Sequence, residues 1–282
     1  MKMTSRERVM SCLNNLEVDR LPVINPTSIA TIESCNIAGV SFNEVHLNVD
    51  KMAALSAVGY ERLGFDSVMP YFSVVQEAAA LGCEINWGNG SEMPKQKSII
   101  FTEPEQFEMP SDLLERLPVK TVIEAIKLLR KKLGKGVLII GKVMGPWTLS
   151  YHLHGVENFL VETITEPDKV KEFLRIFKKI TITIAEAQFE AGADIITIAD
   201  HATADLLSPT AYKEYLLPVH KEINKVFGGK KLILHCCGNT LDRIGLFAEA
   251  GFPIFHFDSK NDIGQAIKKA GNMDTYRMHQ QS

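Results

Sequence analysis

Short apolar segments alternate with amphipathic helical segments along most of this chain. The apolar segments are typical of strands that are buried on both faces. Strands and helices in this order predict right-handed crossover connections and a parallel sheet. Six strands are predicted, at residues 20–24, 65–70, 136–143, 192–200, 231–237 and 253–258.

Two fold classes are built in this way. A doubly wound open sheet carries a glycine-rich phosphate loop after its first strand, and residues 25–28 contain no glycine. Polar residues at the carboxyl ends of the strands instead favour an α/β fold of the (β/α)8 TIM-barrel type, with residues 1–282 in one domain. Six strands do not close an eight-stranded barrel, so we expect the barrel to be truncated after about six strands. Residues 274–282 are expected to form an atypical polar tail.

Local signals mark several element boundaries. Thr4 and Glu7 have the spacing of a capping box, which predicts a helix start. Ser208 followed by Pro209 predicts another start, and Pro218 predicts a kink in the helix that follows. Two short strand-like arms around residues 88–90 predict an excursion from the main sheet.

Composition excludes several classes of protein. The net charge of −3 and the absence of a stripe of lysine and arginine argue against nucleic-acid binding. No run of 18 apolar residues and no apolar leader segment occur, so no membrane association and a cytoplasmic location are expected. Three of the five cysteines are isolated in the sequence, which is not the pattern of a disulfide framework.

The predicted strand at 231–237 ends in the sequence His-Cys-Cys-Gly. Side chains alternate along a strand, so His235 and Cys237 face the same side, about 7 Å apart along it. An imidazole and a thiolate placed in this way can share one zinc ion at roughly 2.0–2.3 Å each. A buried histidine beside two core cysteines explains the same spacing equally well. Cys236 faces the other way and is expected to pack as a small hydrophobic residue.

Several stretches, in matching order, have the character of one known superfamily. They are LPVINPTS (21–28), GFDSVMPY (64–71) with QEAAALG (76–82), GKVMGPW (141–147), IADHATAD (198–205), LHCCG (234–238) and FHFDSK (255–260). Together they resemble the uroporphyrinogen decarboxylase superfamily. More narrowly, they are similar to its methylcobalamin:coenzyme M methyltransferases of the methylamine-pathway type.

This resemblance implies a zinc site made of His-x-Cys on one strand and a second cysteine near the carboxyl terminus. His235 and Cys237 match the first part, whereas no cysteine follows Cys237. Two protein ligands hold zinc less well than three. An acidic residue can complete such a site, and Asp258, at the end of the next strand, is the nearest candidate. A helix cap or a salt bridge with Lys260 explains that aspartate equally well.

The chemistry that the resemblance implies is alkylation of a thiol in methanogenesis from methylated compounds. Zinc would stabilise the thiolate of coenzyme M, which attacks the methyl group of methylcobalamin, the methyl donor. A partner protein would carry this methylated corrinoid. A catalytic zinc site keeps an open coordination position for the thiol.

Four further residues stand at predicted strand ends. Asp200 and His201 follow the fourth strand, where barrel enzymes carry catalytic residues, and they are expected to orient the zinc ligands or the substrate. A structural cap is the alternative for Asp200. Asn25 and Tyr71 follow the first and second strands, where the polar head of a small substrate would bind, although loop structure also explains them.

Two other functions remain open. Uroporphyrinogen decarboxylation on the same fold requires arginines for a substrate with many carboxylates, and residues 25–30 contain no cationic side chain. A chain with an incomplete barrel is alternatively an inactive remnant that binds a partner, a metal or a corrinoid without turnover.

Overall fold

The computed structural model describes residues 2–271. The polar tail expected at 274–282 lies outside the described residues. The helices are α1 Ser5–Leu13, α2 Ile32–Ala38, α3 Val49–Glu61, α4 Gln76–Ala80, α5 Leu117–Leu133, α6 Pro146–His154, α7 Val156–Thr165, α8 Pro167–Glu190, α9 Pro209–Ala211, α10 Leu217–Phe227, α11 Ile244–Glu249 and α12 Ile263–Ala270. The strands are β1 Ser67–Val68, β2 Ile85–Asn86, β3 Lys95–Gln96, β4 Leu138–Met144, β5 Ile195–Ala199, β6 Lys231–Cys236 and β7 Ile254–Phe257.

Within residues 2–271, five strands form one sheet in the order β1-β4-β5-β6-β7. The pairs β1–β4 and β6–β7 are parallel, and the register of the second pair places His235 beside His256. The strands β2 and β3 form a separate antiparallel pair, which is the excursion predicted around residues 88–90. The parallel α/β arrangement agrees with the alternation of strands and helices in the sequence.

The prediction of a strand at residues 20–24 is wrong. This segment forms no strand, although the carbonyl of Val23 accepts a hydrogen bond from the amide of Asp66 at 2.7 Å. The amide of Val23, however, donates to the carboxylate of Asp66 at 2.9 Å, so it does not join a backbone ladder. The same buried carboxylate binds Arg8 and Arg20. The carboxylate of Asp66 therefore binds the amide of Val23, which in a strand would donate to the carbonyl of a neighbouring strand.

The capping predictions are confirmed. Thr4 and Glu7 form a capping box at the start of α1, and Ser208 Oγ accepts from the amide of Ala211 at the start of α9. A π-helical turn, Tyr212–Leu216, separates α9 from α10. Pro218 is the second residue of α10 and has no amide hydrogen to continue the ladder. The kink predicted near Pro218 stays a prediction.

The chain divides into two compact units. Of the described residues, the first contains 2–98, 111–142 and 184–196, and the second contains 99–110, 143–183 and 197–271. Met52, Leu55 and Leu129 are among the fully buried side chains of the first unit, and Trp147 and Phe173 are among those of the second. That residues 1–282 form one domain stays a prediction. Among the helices of residues 2–271, none is long and apolar enough to cross a membrane.

Candidate functional site

His235 and Cys237 come together at the carboxyl end of β6, in the second unit. The Nε2 atom of His235 lies 2.9 Å from the Sγ atom of Cys237. Behind this pair, the Nδ1 atom of His235 lies 2.8 Å from the Nδ1 atom of His256. His235 and His256 are buried, whereas Cys237 is exposed. The strand end therefore presents a nitrogen and a sulfur donor at a point that solvent reaches.

Cys236 has a different environment. It is buried, and burial raises the pKa of its thiol far above the ordinary range. A thiol that stays protonated is a poor metal ligand, because the thiolate is the form that binds a metal. This agrees with the prediction that Cys236 packs as a small hydrophobic residue.

The turn after Cys237 is held by Asp258. The amide of Gly238 donates to Asp258 Oδ2 at 3.1 Å, and the amide of Lys260 donates to Oδ1 at 3.0 Å. These bonds, from Lys260 first and Gly238 second, lower the pKa of Asp258. Gly238 has a φ of +80°, and a Cβ atom there would stand 2.5 Å from Thr203 Oγ1, so the position requires glycine. Asp258 thus shapes the turn that carries Cys237.

The residues at this strand end fit zinc in part. Imidazole nitrogen and thiolate sulfur are the ligands that zinc prefers, and His235 and Cys237 supply one of each. Two ligands of one tetrahedral zinc stand about 3.5 Å apart, so the His235–Cys237 pair must open slightly to hold the ion. Within residues 2–271, no group of three or more histidine, cysteine, aspartate or glutamate side chains has the geometry of a metal site. The role of Asp258 as a third ligand stays a prediction.

Asp200 is buried, and both oxygens of its carboxylate have hydrogen-bond partners. Its Oδ1 atom accepts from the amide of Thr148 at 2.8 Å and from Thr148 Oγ1 at 3.1 Å. Its Oδ2 atom lies 3.4 Å from the amide of Trp147 and 2.9 Å from His220 Nε2. The backbone amide of Asp200 donates to the carbonyl of His235 at 3.0 Å. Asp200 therefore caps the start of α6 and also ties the end of β5 to the strand of the candidate ligands.

His220 was missed in the sequence, although it completes this network. It lies on α10 and is fully buried, with Nδ1 2.8 Å from the hydroxyl oxygen of Tyr212. Burial raises the pKa of Tyr212 well above its ordinary value, so its hydroxyl keeps its proton. No local pattern marks His220, because its partners belong to other elements.

His201 lies beside Asp200 but differs from it in burial. Its amide donates to Thr148 Oγ1 at 2.8 Å, while its residue surface is exposed. The backbone is thus fixed and the imidazole can reach solvent. The catalytic roles of Asp200 and His201 stay predictions.

Asn25 and Tyr71 lie in the first unit. The Oδ1 atom of Asn25 accepts from the amides of Thr27 and Ser28 at 3.0 and 3.1 Å, so Asn25 organises its own turn. Tyr71 is buried, and its hydroxyl donates to the carboxylate of Glu77. The ammonium of Lys142 lies 4.5 Å from the centroid of the Tyr71 ring. Both residues have internal partners, and their role in binding a substrate stays a prediction.

His46 is a second histidine that the sequence did not reveal, and it also lies in the first unit. It is fully buried, and neither of its ring nitrogens has a hydrogen-bond partner among residues 2–271. Burial, with a smaller contribution from the charge of Lys142, lowers the pKa of His46 to about 4. The ring is stacked on Trp87 with centroids 5.6 Å apart. His46 is therefore held as a neutral ring inside the protein.

Residues 4–282 match the uroporphyrinogen decarboxylase family. The chain belongs to this family. One relative is a methylcobamide:CoM methyltransferase MtaA of Methanosarcina barkeri (strain Fusaro / DSM 804), which is 33% identical over 271 residues, covering 94% of this chain and 78% of the relative. Another is a methylcobamide:CoM methyltransferase MtbA of Methanosarcina acetivorans, which is 31% identical over 275 residues, covering 95% of this chain and 80% of the relative.

A solved structure supports the same relationship. It is a methyltransferase from Methanosarcina mazei, which superposes with a TM-score of 0.91 at 30% identity, covering 96% of this chain and 81% of that one. More distant relatives include a uroporphyrinogen decarboxylase of Wolbachia pipientis wMel, which is 29% identical over 187 residues, covering 65% of this chain and 53% of the relative. These comparisons confirm the α/β fold of the uroporphyrinogen decarboxylase type and the resemblance to its methyltransferase branch.

Proposed function

We propose that this member of the uroporphyrinogen decarboxylase family transfers a methyl group from a methylated corrinoid to the thiol of coenzyme M, in methanogenesis from methylated compounds. The donor is methylcobalamin carried by a partner corrinoid protein, and the enzyme uses zinc. The pairing of His235 Nε2 with Cys237 Sγ at 2.9 Å carries the proposal, because it places two zinc-type donors at an accessible strand end. The methyltransferase relatives support the same reaction.

The side chains of this chain have separate roles in the proposal. His235 and Cys237 would hold the zinc ion, which would supply the positive charge that keeps the coenzyme M thiol deprotonated. Asp200 holds the start of α6 and the end of β6 in register, and so positions the ligands. His201, whose residue surface is exposed, would orient the substrate. Asp258 remains the proposed third ligand, although its carboxylate must then release the amide of Gly238.

The alternative function, uroporphyrinogen decarboxylation, has less support. Its substrate carries many carboxylates, and residues 25–30 have no cation to bind them. The Asn25 side chain in this segment instead closes a turn on Ser28. The decarboxylase relative also covers a smaller share of the chain than the methyltransferases do.

Cobalt substitution tests the proposal. The wild-type chain loaded with Co²⁺ should show the intense absorption of a thiolate-ligated ion, and coenzyme M should change that spectrum by binding through sulfur. The analogue 2-hydroxyethanesulfonate, which lacks the thiol, should leave it nearly unchanged. Cys237→Ala should lose the metal, whereas the matched control Cys236→Ala should keep it, because the buried thiol is not a ligand.

Two results would contradict parts of this proposal. Equal metal content in Cys237→Ala and wild type would mean that Cys237 is not a ligand. An equal spectral response to coenzyme M and its hydroxyl analogue would mean that the metal does not activate the thiol. Methyl transfer from free methylcobalamin then separates an active enzyme from a remnant that only binds.

A further inference from the structure

A second histidine stands directly behind the proposed zinc ligand. His256 lies on β7 beside His235 in the parallel register, and only 3% of its surface is exposed. The two Nδ1 atoms are 2.8 Å apart, and the ring centroids are 4.7 Å apart. A hydrogen bond between two ring nitrogens needs one proton and one lone pair, so one ring donates and the other accepts.

The position of this proton decides which atom of His235 can bind a metal. When His256 Nδ1 donates, the neutral His235 ring carries its own proton on Nε2, and no lone pair faces Cys237. When His235 Nδ1 donates, its Nε2 atom has a lone pair, 2.9 Å from the sulfur. Histidine ligands generally donate their second ring N–H to a neighbouring acceptor, which fixes both the tautomer and the ring orientation.

We propose that His256 is a positioning residue that accepts a hydrogen bond from His235 Nδ1 and so presents His235 Nε2 to the metal. This inference rests on the proposed zinc site. His256 itself then carries its proton on Nε2, and it touches neither the metal nor the substrate. The backbone carbonyl of His235 is held separately by the amide of Asp200, so His256 controls the ring while Asp200 controls the strand.

The test is zinc affinity, measured by competition with a chromophoric chelator. His256→Phe keeps a ring but removes the acceptor, and it should weaken zinc binding about 10- to 100-fold. His256→Asn places an amide oxygen near the position of Nδ1, and it should restore affinity to within about threefold of wild type. As a matched control, His154→Phe changes another buried histidine of the same unit, which bonds Glu162 and the carbonyl of Phe101, and it should leave zinc affinity unchanged.

Each outcome bears on a different statement. If wild type binds zinc and His256→Phe binds it equally well, the positioning role is wrong and the zinc site stands. If wild type itself binds no zinc, the metal part of the proposed function is wrong, and the positioning role that rests on it is wrong as well.

A measurement on the unaltered protein covers the case in which His256→Phe does not fold. In ¹⁵N-histidine spectra of the zinc-loaded chain, His235 should be protonated on Nδ1 and His256 on Nε2. A proton on Nδ1 of His256 would overturn the inference without any substitution.

Discussion

Gly145 illustrates how one residue sets the environment of Asp200. A Cβ atom at this position would lie 2.3 Å from Asp200 Cγ and 2.5 Å from Asp200 Cβ. Its φ of −73° is one that alanine adopts freely, so glycine is needed here for space and not for backbone conformation. The carboxylate can approach the start of α6 only because position 145 has no side chain.

Gly145→Ala should therefore displace Asp200. We expect a loss of about 1–3 kcal/mol in the free energy of unfolding, the usual cost of forcing an extra carbon into a packed interior. Gly90→Ala is the matched control, because a Cβ atom there meets no described residue within 4 Å. Urea denaturation measures both. Equal stability of the two variants would contradict the close approach of Asp200 to residue 145.

At the scale of elements, a buried network joins three helical segments. Asp200 caps α6, His220 reaches the same carboxylate from α10, and Tyr212 reaches His220 from the π-helical turn. The π-helical turn adds a residue to the helix and so changes the direction in which Tyr212 points relative to an α-helix. The capping of α6 therefore depends on His220 and Tyr212 as well as on Asp200.

A double-mutant cycle tests whether these partners act together. His220→Phe and Tyr212→Phe should each lower the free energy of unfolding by about 1–3 kcal/mol, because each leaves a buried polar group unpaired. The double variant should lose less than the sum, with a coupling of about 0.5–3 kcal/mol. Tyr215→Phe is the control: its hydroxyl bonds the carbonyl of Thr163, so it should be additive with His220→Phe. Additivity of the Tyr212 cycle would contradict the network.

At the scale of the whole molecule, His46 makes folding depend on pH. Its pKa is about 4 in the folded chain, below the usual value near 6.5 for an unfolded histidine. When the pH falls below about 6.5, His46 therefore binds a proton in the unfolded state but stays neutral in the folded state. The stability from neutral His46 is fully present above that pH and is lost progressively as the pH falls towards 4.

His46→Phe should flatten this dependence. The phenyl ring can keep the contacts with Trp87 and Phe42, and it has no nitrogen to protonate. Between pH 7.5 and pH 5, the free energy of unfolding should fall by roughly 2 kcal/mol less in the variant than in wild type. Chemical denaturation at both pH values measures the difference. The same fall in both proteins would mean that His46 is not held neutral.

Features that depend on near neighbours in the chain could be predicted from the residues alone. The alternation of apolar and helical segments predicted the parallel α/β sheet, and the capping pattern at Thr4 predicted the start of α1. The two-residue period of a strand placed His235 and Cys237 on one side, as the structure has them. These predictions succeeded because periodicity and capping are local properties of the backbone.

Contacts between residues that are distant in the chain could not be predicted in this way. His256 contacts His235 because of the register between β6 and β7, and His220 on α10 reaches the carboxylate of Asp200, 20 residues away in the chain. The failed strand at 20–24 has the same origin, since the carboxylate of Asp66 takes the amide of Val23. Register and packing depend on how whole elements bury their surfaces against each other, and no local pattern specifies that.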